Sequence, residues 1–232
     1  MASTLNSFEH RSALAAGLAD RVATQLTAGI ETRGSATLAV SGGSTPKAFF
    51  EALSTRDIDW AKVTVTLVDE RYVPADNPRS NHLLVAEHLL QNKAAEAAFI
   101  PLYRDDQDVE RAAEGVTVDM ASLGHPFDVV VLGMGGDGHT ASFFPGGDHL
   151  GQALDLSLPP RVFAMQAEGA GEPRLTFSFS ALHDARLLVL HIEGNEKKAV
   201  LETALAGTDE ADMPIRAPLL RAASPVEIYW AP

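Results

Sequence analysis

The sequence predicts an α/β fold: one domain over residues 1–232, with a mainly parallel sheet covered by helices on both faces. Short runs of consecutive apolar residues at 36–40, 63–68, 127–132 and 187–192 have the composition of strands buried on both sides. Stretches with apolar residues at helical spacing separate them. With 232 residues, 46% hydrophobic and 21% charged, the chain can bury a full core, and no repeat, low-complexity tract or linker marks a boundary within it.

Leu14, Leu18, Val22 and Leu26 stand at four-residue steps, which predicts an amphipathic helix over residues 7–28. The strand at 36–40 follows. A helix is predicted near 46–55, with Phe49, Phe50 and Leu53 facing inward, Thr45 as its N-cap and Pro46 in its first turn. Next come a strand at 63–68, a helix near 80–91 capped by Ser80, a short strand near 98–102, a helix near 105–122 and a strand at 127–132. Residues 161–166 and 175–179 read as strands. In the second, Leu175, Phe177 and Phe179 alternate with polar residues, so segment 174–182 is expected to add a strand with one less-buried face. A buried strand at 187–192, a helix at 196–205 and a closing strand at 226–230 complete the order.

The formal net charge of −13 argues against nucleic acid or an anionic membrane as partner, because both reward a basic surface. An anionic small ligand stays open if cations cluster locally. The absence of cysteine excludes disulfides, thiolate nucleophiles and thiolate-bound zinc, and fits a reducing compartment. No apolar run approaches the roughly 18 residues of a membrane span, and the N-terminus lacks a basic stretch before an apolar core. A cytoplasmic protein is expected. Nothing in the sequence calls for an obligate protein partner.

The segment Val129-Val130-Val131-Leu132-Gly133-Met134-Gly135-Gly136-Asp137-Gly138-His139 runs from a buried strand into a glycine loop carrying an acid and a histidine. On so tight a backbone the Asp137 carboxylate can orient the His139 imidazole, and nothing bulky stands above them. Gly133, Gly135 and Gly138 also satisfy the dinucleotide pattern G-x-G-x-x-G. That reading is disfavoured. Asp137 would sit where a pyrophosphate belongs, Pro145 interrupts the helix that should follow, and residues 156–160 offer no acid for a ribose. His82, His88 and His125 have no comparable setting, and no metal-ligand spacing of histidines appears.

Ser41, Gly42, Gly43 and Ser44 lie between the first predicted strand and a helix, a natural place for an anion to meet backbone amides. Asp69, Glu70 and Arg71 stand just past another apolar strand. Arg174 opens a strand and Lys197 a helix, each an ordinary surface charge in isolation. Their convergence carries the argument. If the strands are parallel, the loops after 36–41, 63–68, 127–132 and 187–192 share one carboxyl edge, where open α/β sheets bind ligands.

These residues resemble the 6-phosphogluconolactonases, which share single motifs with the glucosamine-6-phosphate deaminases. The resemblance rests on Ser41-Gly-Gly-Ser-Thr-Pro46, Asp69-Glu-Arg-Tyr-Val-Pro74, Ser80-Asn81, Gly133-Met-Gly-Gly-Asp-Gly-His-Thr-Ala-Ser142 with Phe144-Pro-Gly146, Pro173-Arg-Leu-Thr176 and Gly194-Asn-Glu-Lys197, in that order over nearly the whole chain. It implies a modified Rossmann-like fold, no cofactor, no metal, and hydrolysis of 6-phospho-D-glucono-1,5-lactone in the pentose phosphate pathway. By the same resemblance His139 is the general base with Asp137 its orienting partner. Arg174 and Lys197 recognise phosphate or substrate with Gly42, Gly43 and Ser44, and Asp69 and Arg71 line the sugar pocket. The backbone amides of loop 133–138 are the expected oxyanion donors.

Two other functions remain to be weighed. Deaminases of this kind carry an acid soon after the histidine, in a Phe-Asn-Glu-Pro stretch, where this chain has Ser142-Phe143-Phe144-Pro145. A sugar-phosphate sensor without catalysis would need the phosphate cradle but not the Asp137 and His139 pair.

Overall fold

The computed structural model describes residues 3–105, 108–120, 122–124 and 126–232. Its main sheet has seven strands in the order β1-β10-β9-β6-β2-β3-β5, and every neighbouring pair is parallel. They are β1 (Thr4–Ser7), β2 (Ala36–Val40), β3 (Val63–Leu67), β5 (Ala98–Ile100), β6 (Val129–Leu132), β9 (Leu187–Glu193) and β10 (Val226–Ala231). All four residues of β6 are buried, and successive side chains of a strand point to opposite faces, so both faces are covered. The expected mainly parallel architecture is present.

Helix α1 (Arg11–Arg33) buries Leu14, Leu18, Val22 and Leu26. The helix predicted from residue 7 starts later, because residues 4–7 pair with β10 and Phe8 stacks on Tyr229 at 5.7 Å. It also runs further, to Gly34 at φ +84, a left-handed stop whose amide bonds the Ile30 carbonyl. Helix α2 (Lys47–Ser54) buries Phe49, Phe50 and Leu53 as expected. Thr45 does not cap it. Pro46 occupies that position with helical dihedrals and no side chain bonds the free amides.

Ser80 caps α3 (Asn81–His88), accepting from the Leu83 amide at 3.3 Å. Helix α4 spans Val109–Met120; Asp106, Gln107 and Ala121 of the expected helix lie outside the described residues. The short α5 (Leu150–Ala153), then α6 (Phe179–Leu182), α7 (Asn195–Leu205) and α8 (Arg216–Arg221) follow. No helix among the described residues is long and apolar enough to cross a membrane.

A second sheet of three antiparallel strands, ordered β4-β8-β7, is a departure from the predicted pattern. It comprises β4 (Asp69–Arg71), β7 (Val162–Met165) and β8 (Arg174–Phe177). The expected half-exposed strand at 174–182 is corrected here: all four residues of β8 are buried, and Phe179 belongs to α6. The alternation of apolar and polar residues reflects two different buried faces, one of which meets the cleft.

Candidate active site

Because β2, β3, β6 and β9 are parallel, the loops that follow them leave the sheet at one edge. Between them opens a cleft of about 240 Å³. Ser41, Gly42, Gly43, Ser44, Asp69, Arg71, His139, Arg174 and Lys197 all contribute to its wall. The structure thus assembles every expected site residue there except Asp137, which stands behind His139.

His139 Nδ1 lies 2.6 Å from Asp137 Oδ1, and the same oxygen accepts the His139 backbone amide at 3.1 Å. An ionised carboxylate only accepts, so in the uncharged ring the proton sits on Nδ1 and the lone pair on Nε2. The ring packs on Phe144 with centroids 4.4 Å apart. Glycine at 135 permits this pairing: a Cβ there would stand 2.1 Å from His139 Nδ1 and 2.5 Å from Asp137 Oδ1.

Partial burial would raise the Asp137 carboxyl, but the His139 amide, the imidazole charge and the ring hydrogen bond outweigh it, so the group titrates below 3.8. A depressed carboxylate stabilises the fold above its unfolded value and loses that contribution as pH falls through the folded value. The difference in unfolding free energy between wild type and Asp137→Asn is therefore expected to close as pH drops below 3.8, read by urea titrations across the acid range.

The turn after His139 is fixed by its own polar side chains. Thr140 Oγ1 donates to the Gly133 carbonyl at 2.8 Å and Ser142 Oγ to Asp69 Oδ2 at 2.6 Å. Ala141 between them adopts φ +48, a left-handed conformation that non-glycine residues rarely take. Three amides of the expected oxyanion loop are already committed. Gly133 donates to Ser41 Oγ at 3.1 Å, Gly135 to the His139 carbonyl at 2.8 Å and Gly138 to the Gly135 carbonyl at 3.3 Å. Among the described residues the amides of Gly42, Gly43 and Ser44 have no protein acceptor, which leaves them to a ligand.

Antiparallel pairing of β4 with β8 sets Arg71 opposite Arg174. Arg174 is 9% exposed, donates from Nη2 to the Ala170 carbonyl at 2.6 Å and leaves its buried Nε without a partner. Burial lowers its affinity for the proton, opposed by Asp69, while the charge of Arg71 adds to the lowering. Lys197, in the first turn of α7, forms no ion pair with a carboxylate among the described residues. Asp69 on the same wall and Glu172, 4.0 Å from Arg174 Nη2, offset part of the mutual repulsion of these cations, and a bound anion relieves more of it.

Glu70 has a structural role. Fully buried, it accepts the amides of Arg71, Asn81 and His82 at 2.7, 2.8 and 2.8 Å and the Ser80 hydroxyl at 3.1 Å. Burial raises its pKa despite those four donors. The anchored Asn81 reaches the cleft, where its Nδ2 donates to the Asp69 carbonyl at 2.9 Å and its Oδ1 crowds Gly42: a Cβ at 42 would lie 1.8 Å from it. In the sequence Asn81 stands out only beside the helix-capping Ser80 and within the Ser80-Asn81 motif of the resemblance, with no role of its own.

His191 was also missed. It lies 3% exposed on the cleft wall, its Nε2 3.3 Å from Glu193 Oε1. Embedded in an apolar strand, it gave no signal except its place one residue from that strand's predicted end. His82 and His88 stay outside the cleft wall, and His125 lies outside the described residues.

Comparison with known proteins places this geometry in context. A sequence model described as glucosamine-6-phosphate isomerases/6-phosphogluconolactonase matches residues 9–230. The chain is 63% identical over 232 residues to a 6-phosphogluconolactonase of Rhizobium meliloti (strain 1021), covering 100% of both chains. It is 45% identical over 218 residues to one from Pseudomonas aeruginosa, covering 94% of this chain and 90% of that protein. Among solved structures, a 6-phosphogluconolactonase from Shewanella baltica OS155 superposes with a TM-score of 0.95 at 42% identity, over 99% of this chain and 98% of the other.

Proposed function

The chain belongs to the glucosamine-6-phosphate isomerase/6-phosphogluconolactonase family, and from that premise we propose that it hydrolyses 6-phospho-D-glucono-1,5-lactone to 6-phospho-D-gluconate. The observation that carries the mechanism is the His139 and Asp137 pair at 2.6 Å, with Nε2 left as the free basic atom beside the cleft.

A δ-lactone is an activated ester, so water needs a base and the developing oxyanion needs donors, but no covalent nucleophile is required. His139 Nε2 takes one proton from the attacking water as its oxygen bonds the lactone carbonyl carbon. The carbonyl π pair moves onto oxygen to give the tetrahedral oxyanion. When the carbonyl reforms, the ring C–O bond breaks, and the imidazolium returns its proton to the departing ring oxygen. The product acid then ionises. Asp137 holds the ring in the productive tautomer throughout and steadies its transient charge.

The phosphate is read by Lys197 and Arg174 with the unused amides of Gly42, Gly43 and Ser44. Ser41, Asp69 and Arg71 face the sugar. Charge-assisted donors are what a phosphate demands, and this acidic chain gathers them at the cleft. A metabolic enzyme of the cytoplasm fits this reading.

Lys197→Ala is expected to raise KM for the phosphorylated lactone by about tenfold or more, the loss of one charge-assisted contact, with little change for unphosphorylated gluconolactone. Steady-state kinetics on the two lactones, each corrected for spontaneous hydrolysis, test this. Equal loss on both substrates would remove Lys197 from the phosphate site.

A further inference from the structure

Residues 206–215, between α7 and α8, supply no group to the chemistry above, yet they touch both of its halves. Met213 presses on Gly138, where a Cβ would stand 2.8 Å from its Cε and 2.9 Å from its Cβ. The Ile215 amide donates to the Gly138 carbonyl at 2.8 Å. Gly138 is the residue between Asp137 and His139, with φ +79, so what holds it holds the pair.

The other end is fastened by Arg216, 6% exposed. Its Nε donates to the Ala204 carbonyl at 3.0 Å and its Nη2 to the Thr203 carbonyl at 3.3 Å, both in the last turns of the helix that carries Lys197. Its Nη1 donates to the Asp209 carbonyl at 2.8 Å and to Asp212 Oδ2 at 3.2 Å. Gly207 lets the chain pass close over the guanidinium: a Cβ there would lie 2.2 Å from Nη2, so a larger residue would displace the guanidinium. The segment also closes on itself, through Met213 N to the Asp209 carbonyl at 3.2 Å and Arg216 N to the Met213 carbonyl at 2.9 Å.

Burying a guanidinium is unfavourable unless its donors are used. An apolar residue would fill the same space. Asp212 is 69% exposed, so a buried ion pair does not account for the charge. Multiple fixed donors do: they tie the end of α7 to the strap that bears on Gly138.

We propose that Arg216 and Met213 are positioning residues, the clasp and the buttress of a strap that sets the catalytic loop at a fixed distance from the helix bearing Lys197. The strap makes phosphate binding and base placement parts of one rigid unit, so that binding energy from the remote phosphate is realised as orientation at the carbonyl. The inference rests on the reading of His139 as base and Lys197 as phosphate ligand.

The test compares wild type, Met213→Ala, Arg216→Lys and His139→Ala on 6-phosphogluconolactone and on unphosphorylated gluconolactone, with melting temperatures recorded beside the kinetics. Met213→Ala leaves the clasp intact and is expected to lower kcat about tenfold with KM within about twofold of wild type. Arg216→Lys keeps the charge but not the fork of donors. It is expected to lower kcat and also to shrink the preference for the phosphorylated lactone, as α7 comes loose. Wild-type kcat and preference in the folded variants, with only a lower melting temperature, would overturn the proposal. If Arg216→Lys does not fold, Met213→Ala decides alone. An inactive wild type, or full turnover by His139→Ala, overturns the functional premise and the proposal with it, and is told apart by those two proteins alone.

Discussion

His139→Ala lowers kcat for lactone hydrolysis by about two orders of magnitude or more, the usual contribution of a positioned general base. The variant loses the Nε2 lone pair that Asp137, bonded to the opposite ring nitrogen, holds beside the cleft. KM should change little, because the groups proposed to read the phosphate, Lys197, Arg174 and the amides of residues 42–44, lie on other segments. The fold should survive, since the side chain is 32% exposed and its main partners are Asp137 and the face of Phe144. Stopped assays on freshly generated lactone, with the spontaneous rate subtracted, measure the effect. A residual rate within a few-fold of wild type would assign the base elsewhere.

Gly135→Ala is expected to cost about a hundredfold in kcat, although it removes no functional group, because ångström-scale misplacement of a catalytic group carries a penalty of that order. The added methyl would meet His139 Nδ1 at 2.1 Å, Cε1 at 2.2 Å and Asp137 Oδ1 at 2.5 Å, so ring and carboxylate must separate. Backbone strain does not confound the result, since Gly135 is absent from the glycines with positive φ. Gly136→Ala is the matched control: nothing lies within 4 Å of a Cβ there, and near-wild-type turnover is expected. Equal activity of the two variants would show that the pairing of His139 with Asp137 is dispensable.

Much of this arrangement is legible in the sequence because its main physical cause is simple. Strands buried on both faces must be apolar throughout, so β2, β3, β6 and β9 stand out, and their parallel order follows from the helices between them. Once they are parallel, the residues that follow each strand have to meet at one edge. Elements whose cause is tertiary were hidden. β4 is the charged triplet Asp69-Glu70-Arg71, which has strand form because β8 pairs with it and because Glu70 is needed to cap α3. β1 has no apolar pattern, since its sheet edge is largely exposed.

The same distinction holds for single residues. Asp137 and His139 announced themselves through a glycine loop, a local signal. Asn81 and His191 reach the cleft through the packing of elements distant in sequence, and neither has a local pattern that separates it from a helix start or a strand interior. Arg216 is the extreme case: its partners lie 4 to 13 residues away in a segment without periodicity.

The wild-type protein assayed in parallel on fresh 6-phosphogluconolactone and on glucosamine 6-phosphate tests the central claim most directly. Phe143-Phe144-Pro145 occupies the stretch where the resemblance to the deaminases would put an acid, and His139 lies on the cleft wall with Asp137 behind it. The expected result is lactone hydrolysis far above the spontaneous rate and no release of ammonia from the amino sugar. Deamination without accelerated lactone hydrolysis, or binding of 6-phosphogluconate with no acceleration of either reaction, would contradict it.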